Sequence, residues 1–108
     1  MSVFDEELQR LKDKILKMGS MVEDAIKNSV QALVERDNTL AINVIDNDRL
    51  VNTLDVEIDE EAIRLIALRQ PKASDLRFIT MAMKITTDLE RMGDLLYGVS
   101  KIYRNLEK

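Results

Sequence analysis

At 108 residues, with 45% hydrophobic and 33% charged content, the chain has the length of one small domain and enough apolar material for a core. It contains no Cys and no His, which removes disulfides, thiolate and imidazole metal sites, Cys nucleophiles and histidine acid-base catalysis together and leaves carboxylate chemistry. The net charge is −4 and the 16 basic residues are interleaved with 20 acids, so no footprint for a phosphate backbone is present and nucleic acid is not an expected partner.

The opening MSVFDEELQR lacks the basic and apolar regions of a signal peptide, and no apolar run reaches the roughly 18 residues of a membrane span. A cytoplasmic location without direct membrane insertion is the expectation. Three Gly, one Pro and 4% aromatic residues argue for helices and against a sheet. The first helix is expected over about 3–36, with a seam of Phe4, Leu8, Leu11, Ile15, Met18, Val22, Ala25, Ser29 and Leu33 spaced by fours and threes. The pattern runs through Gly19, which is read as tolerated within the helix.

The run ERDNTLA interrupts this period, and Asp37 or Asn38 can accept from the free N–H groups of a second helix over about 39–68. Its seam is Leu40, Val44, Val51, Leu54, Ile58, Ala62 and Leu65, and Pro71 in RQPKAS sets its end. Ser74 can cap a third helix over about 74–106, whose seam reads Phe78, Ala82, Ile85, Leu89, Met92, Leu96, Val99, Tyr103 and Leu106. Short loops between three long helices force antiparallel neighbours, so residues 1–108 are expected to form one all-α, up-down-up three-helix bundle.

On a helical wheel Glu90 and Asp94 lie opposite that third seam, together with Leu76, Ile79, Met83 and Tyr97. A second apolar patch beyond a complete core stripe implies another packed surface, so a partner helix or a second subunit is expected around Ile79, Met83 and Tyr97. Glu90 and Asp94 are like charges on one helix face, destabilising by themselves, and Gly93 between them costs about 1 kcal/mol relative to Ala.

Helix 2 carries a matching ladder of oxygen donors, Asp48, Asn52, Asp55 and Asp59, spaced four, three and four. Oxygen ligands on two facing helices suit a cation such as Mg²⁺, Mn²⁺, Fe or Zn²⁺, which turns carboxylate repulsion into attraction, and Gly93 would leave room for its approach. The plainer reading is that acids four apart arise by chance in so charged a chain. The stripe is then a solvated face, with Lys84 and Arg91 as ion-pair partners and Asp88 as a structural acceptor nearer the core.

The stretch LIALRQPKASDLRFITMAMKITTDLERMGDLLYGVS resembles the PhoU family, whose repeats share a Q-P-x-A-x-D-L-R turn followed by D-L-E-R-x-G-D. The turn residues here are Gln70, Pro71, Ala73, Asp75, Leu76 and Arg77, and the acidic motif is Asp88, Leu89, Glu90, Arg91, Gly93 and Asp94; upstream, DNDRLVNTLDVEIDEE also fits. The resemblance implies one three-helix PhoU repeat whose acidic motif holds a multinuclear iron or zinc cluster, carried onto Glu90 and Asp94 with Asp48, Asn52 and Asp55 from helix 2.

It also implies a non-catalytic adaptor between the ATPase of the phosphate ABC transporter and a membrane sensor histidine kinase, at the inner face of the membrane through those partners. Such an adaptor lowers phosphate uptake and signalling when phosphate is plentiful. Family members usually carry two such repeats and this chain carries one, so either it restores the pair by self-association, as a dimer, or it is a piece of a longer chain. A carboxylate-rich metal-binding or oligomerisation module without a signalling role is the alternative. A di-iron enzyme of the Glu-x-x-His type is disfavoured by the lack of His.

Overall fold

The computed structural model describes residues 2–106, and local sequence chemistry accounts for most of its helix ends. Helix α1, Val3–Glu35, starts at a capping box in which the Asp5 N–H donates to Ser2 Oγ at 3.1 Å and the Ser2 N–H donates to Asp5 Oδ2 at 3.4 Å. Helix α2, Asn38–Arg69, is capped by Asp37, whose carboxylate accepts from the N–H groups of Thr39 and Leu40. Helix α3, Ala73–Leu106, begins one residue before the expected cap, so Ser74 lies inside its first turn and the Leu76 N–H bonds to the Lys72 carbonyl. Both turns close on a non-glycine residue in the left-handed region, Arg36 at φ 55° and Gln70 at φ 46°.

Pairs such as Glu7 with Arg69 and Lys14 with Glu61 set α1 antiparallel to α2, and the Ser29 and Ser100 hydroxyls, 3.3 Å apart, set α1 parallel to α3. The result is the expected up-down-up bundle, 53 Å along its principal axis. On α1 and α2 the predicted seams are the real ones: Leu11, Met18, Val22, Val51, Leu54, Ile58, Ala62 and Leu65 are buried. Leu33 is a local exception, exposed while Ala32 faces inward.

Helix α3 departs from its predicted register. Its interior line is Ile79, Ala82, Thr86, Gly93, Ser100 and Tyr103, and the predicted seam residues Ile85, Met92, Val99 and Leu106 are exposed. Leu89 and Leu96 are half-buried. Apolar residues surround most of this helix, so hydropathy alone does not choose between stripes offset by one position. Small residues choose, because Thr86, Gly93 and Ser100 let the backbone sit close to its neighbours. The Thr86 hydroxyl is satisfied within the helix by donating to the Ala82 carbonyl at 2.7 Å.

The expected docking patch is therefore corrected. Ile79 is fully buried and Met83 packs against the same core cluster, so these two belong to the bundle, while Tyr97 is half-buried beside a polar cleft. The surplus apolar residues lie instead on the outer α1–α3 side, as Leu16, Ile26 and Val30 on α1 and Met81, Ile85, Met92, Leu95, Val99 and Ile102 on α3.

Two buried glutamates join α1 to α2. Glu7 accepts from Arg69 Nε at 2.9 Å and Nη2 at 2.6 Å with Arg64 Nη2 at 3.5 Å, and Glu61 accepts from Lys14 Nζ at 2.8 Å. The α3 register is checked by urea denaturation of two variants. Ile79→Ala should cost about 2–5 kcal/mol through transfer and cavity terms, and Ile85→Ala less than about 1 kcal/mol.

Candidate functional site

Where α3 lies against α2, Gly93 is buried, and a Cβ built on it would meet Asp48 Oδ1 at 3.4 Å and Val51 Cγ1 at 3.5 Å. Asp48 thus lies directly beneath Gly93, where a methyl group would make ordinary van der Waals contact with it. Three residues before this contact and one residue after it, Glu90 and Asp94 face the helix 2 ladder. The charges of Asp94, Asp55 and Asp48 all act on Glu90, and that of Asp94 acts on both Asp48 and Asp55. The structure thus brings together all five expected residues, Asp48, Asn52, Asp55, Glu90 and Asp94.

Asn52 Nδ2 donates to Asp48 Oδ2 at 3.2 Å, which favours the charged form of that carboxylate. Among the described residues, Asp48 Oδ1 and Glu90 Oε2 are buried oxygens with no hydrogen-bond donor, a costly arrangement for a carboxylate. Burial and then the Asp94 charge raise Asp48, and burial followed by the charges of Asp59 and Asp94 raises Asp55. Glu90 is raised furthest, to about 7. Burial is the largest cause, followed by the charges of Asp94 and Asp55, a hydrogen bond to Asp94 and the charge of Asp48.

No three carboxylates among the described residues converge closely enough to hold a metal ion as their side chains stand. What the cluster does chemically is attract a positive charge, whether a proton at Glu90 or a cation, onto oxygen donors alone. The plainer reading fits the neighbouring charges: Asp88 is exposed, and Arg91 lies 4.0 Å from it. Asp88 is not near the core. Sequence reasoning missed Asp46 and Arg49, which with Asp48, Asn52, Asp94 and Tyr97 line an open polar cleft of about 440 Å³. The 46/49 and 48/52 spacings along one helix face were the available signal.

The description of the PhoU domain family matches residues 15–103, nearly the whole of the bundle. The chain belongs to the PhoU family. The phosphate-specific transport system accessory protein PhoU homolog of Rhizobium meliloti (strain 1021) is 48% identical over 101 residues, covering 94% of this chain and 43% of that protein. The phosphate-specific transport system accessory protein PhoU of Escherichia coli (strain K12) is 41% identical over 92 residues, covering 85% and 38%. The crystal structure of PhoU from Pseudomonas aeruginosa superimposes with a TM-score of 0.91 at 40% identity, covering 95% of this chain and 49% of that one. The chain thus spans about half the length of the PhoU relatives it matches or less. Within the described residues, no helix is long and apolar enough to cross a membrane.

The raised Glu90 carboxyl gives a pH dependence of known sign. Between its ordinary value of 4.5 and about 7, the folded chain holds a proton that the unfolded chain has released. Stability of metal-free protein should therefore fall as pH rises through that window and level off above it. After allowance for solvent screening the fall is about 1–2 kcal/mol. Glu90→Gln should flatten the profile between pH 5 and 8 in thermal melts with chelator, where the wild type slopes downward.

Proposed function

We infer that the chain is the three-helix unit of a regulator of phosphate uptake and phosphate-starvation signalling, a cytoplasmic, self-associating and non-catalytic adaptor. Its partners in this reading are the ATPase of the phosphate ABC transporter and a sensor histidine kinase, and it restrains uptake and signalling when phosphate is abundant. The observation that carries the reading is the match of residues 15–103 to the PhoU domain, with Glu90, Gly93 and Asp94 of the family's acidic motif lying on the α2–α3 seam. The names of the relatives, accessory proteins of phosphate-specific transport systems, supply the physiological context.

In the same reading the seam binds iron or zinc as a multinuclear cluster through Glu90, Asp94, Asp48, Asn52 and Asp55. The orphaned oxygens of Asp48 and Glu90 and the crowding that raises three carboxyls fit a cation, which would supply the missing counter-charge and draw α2 and α3 together. Oxygen donors alone favour the harder end of this pair of metals. Binding requires rotation of the acidic side chains, since they do not yet converge.

Deletion of the gene should raise expression of phosphate-starvation genes in phosphate-rich medium, and the wild-type copy should restore repression. Unchanged expression overturns the regulatory reading. Untagged Glu90→Gln, Asp94→Asn protein should lose iron or zinc by elemental analysis, yet be at least as stable as wild type in chelator because the like charges are gone. Equal metal content in both proteins assigns the seam to a solvated or partner-facing acidic patch.

A further inference from the structure

The two oxygens of Asp48 have different surroundings. Oδ2 accepts from Asn52 Nδ2 at 3.2 Å, and both residues line the open cleft, whereas Oδ1 is buried with no hydrogen-bond donor among the described residues. Beside it lies a small cavity of about 10 Å³, bordered by Asn47, Asp48 and Gly93 among the side chains of Met21, Val22 and Val44. A cavity of that size accommodates roughly one water molecule.

The Cβ direction of Gly93 points into this space. The two atoms that a Cβ there comes nearest, Asp48 Oδ1 at 3.4 Å and Val51 Cγ1 at 3.5 Å, belong to residues of the same wall. Gly19 and Gly98 differ, since a Cβ on either meets nothing within 4 Å.

A buried carboxylate oxygen without a donor is costly, and water is retained inside a protein where it joins two or more polar groups. Both conditions meet at this cavity. Asp48 Oδ1 is an acceptor, and Asn47, whose amide both donates and accepts, borders the same space. Met21, Ala25, Val44 and Asn47 also line a larger recess of about 200 Å³ on the α1–α2 side, so the cavity is one shared wall away from solvent there. Met21 is the adaptable member of that wall, being unbranched and free to change rotamer.

We propose that the cavity is a hydration site in which one water molecule donates to Asp48 Oδ1 and bonds to Asn47, and that Gly93 is kept because any side chain there takes the water's place. Water enters and leaves past Met21, from the α1–α2 side. Asp48 is thereby served by solvent from behind and by Asn52 in front, with no basic side chain involved. Hydration of Asp48 does not depend on a bound metal, so the test is made in chelator.

Urea denaturation separates a hydrated cavity from a dry one. Gly19→Ala and Gly98→Ala gain helix propensity in open space, and each should raise the folding constant about fivefold. Gly93→Ala gains the same propensity at ordinary contact distance, so a dry cavity predicts at least the same rise. With water displaced from Asp48 Oδ1, Gly93→Ala should instead lower the constant roughly fivefold relative to wild type. An Asp48→Ala background has no oxygen to hydrate, and there Gly93→Ala should recover the gain of the two controls. Water magnetic relaxation dispersion should count one fewer long-lived water in Gly93→Ala than in wild type. A Gly93→Ala gain equal to the controls, or an unchanged count of long-lived waters, overturns the hydration site. A Gly93→Ala loss that persists in the Asp48→Ala background assigns the cost to packing against Val51 and overturns it as well.

Discussion

The close approach of α3 to its neighbours along Thr86, Gly93 and Ser100 is the constraint on which the other features depend. A helix packs nearest along the line where its side chains are smallest, and on α3 that line runs from Ile79 through two hydroxyl residues and a glycine. Turning these residues inward has two results at once. It brings Glu90 and Asp94 over the α2 ladder, and it leaves Ile85, Met92 and Val99 outside. The acidic seam and the outer apolar stripe are thus two sides of one rotation.

At the seam, electrostatics and packing pull in opposite directions. Bringing α2 against α3 removes water from Asp48 and Glu90 and pushes four carboxylates toward one another, and no basic side chain is paired with them among the described residues. The buried glutamates on the α1–α2 side have the opposite arrangement, since Glu7 sits between two guanidiniums and Glu61 accepts from Lys14. The same residue type is thus neutralised by arginine and lysine on one side of α2 and left without counter-charge on the other. The acids on the two sides of α2 are distinguished by their partners, not by their burial.

Much of this organisation is legible in the sequence. The start and end of α2 follow from Asp37 and Pro71, and the seams of α1 and α2 follow from spacing because their opposite faces are polar enough to give contrast. The α3 register is not legible in that way. Its buried Thr86, Gly93 and Ser100 carry almost no hydropathy signal, while the exposed Met92 and Val99 carry a strong one, so counting apolar residues selects the wrong line. The proximity of Glu90 and Asp94 to the α2 acids was nevertheless legible, because like charges four apart beside a glycine are unfavourable in any register. Asp46 and Arg49 were missed since only the fold shows which residues border the cleft.

The core is also unevenly distributed along the bundle. Its larger cluster, from Leu8 and Leu65 to Val22 and Val51, fills the end where Arg69 and Arg64 hold Glu7, whereas the other end is closed by Ala32, Ala41 and Tyr103 with Leu40 against them. Alanines contribute little contact area, so opening free energies should decline toward the α1–α2 turn, and amide hydrogens there should exchange before those beside Glu7. Asp48 lies seven residues from Ala41, about 10 Å along α2 at the helical rise. Fraying that starts at the alanine end reaches the acidic seam first, so the seam stands at the boundary between the part of the bundle that stays closed and the part that breathes.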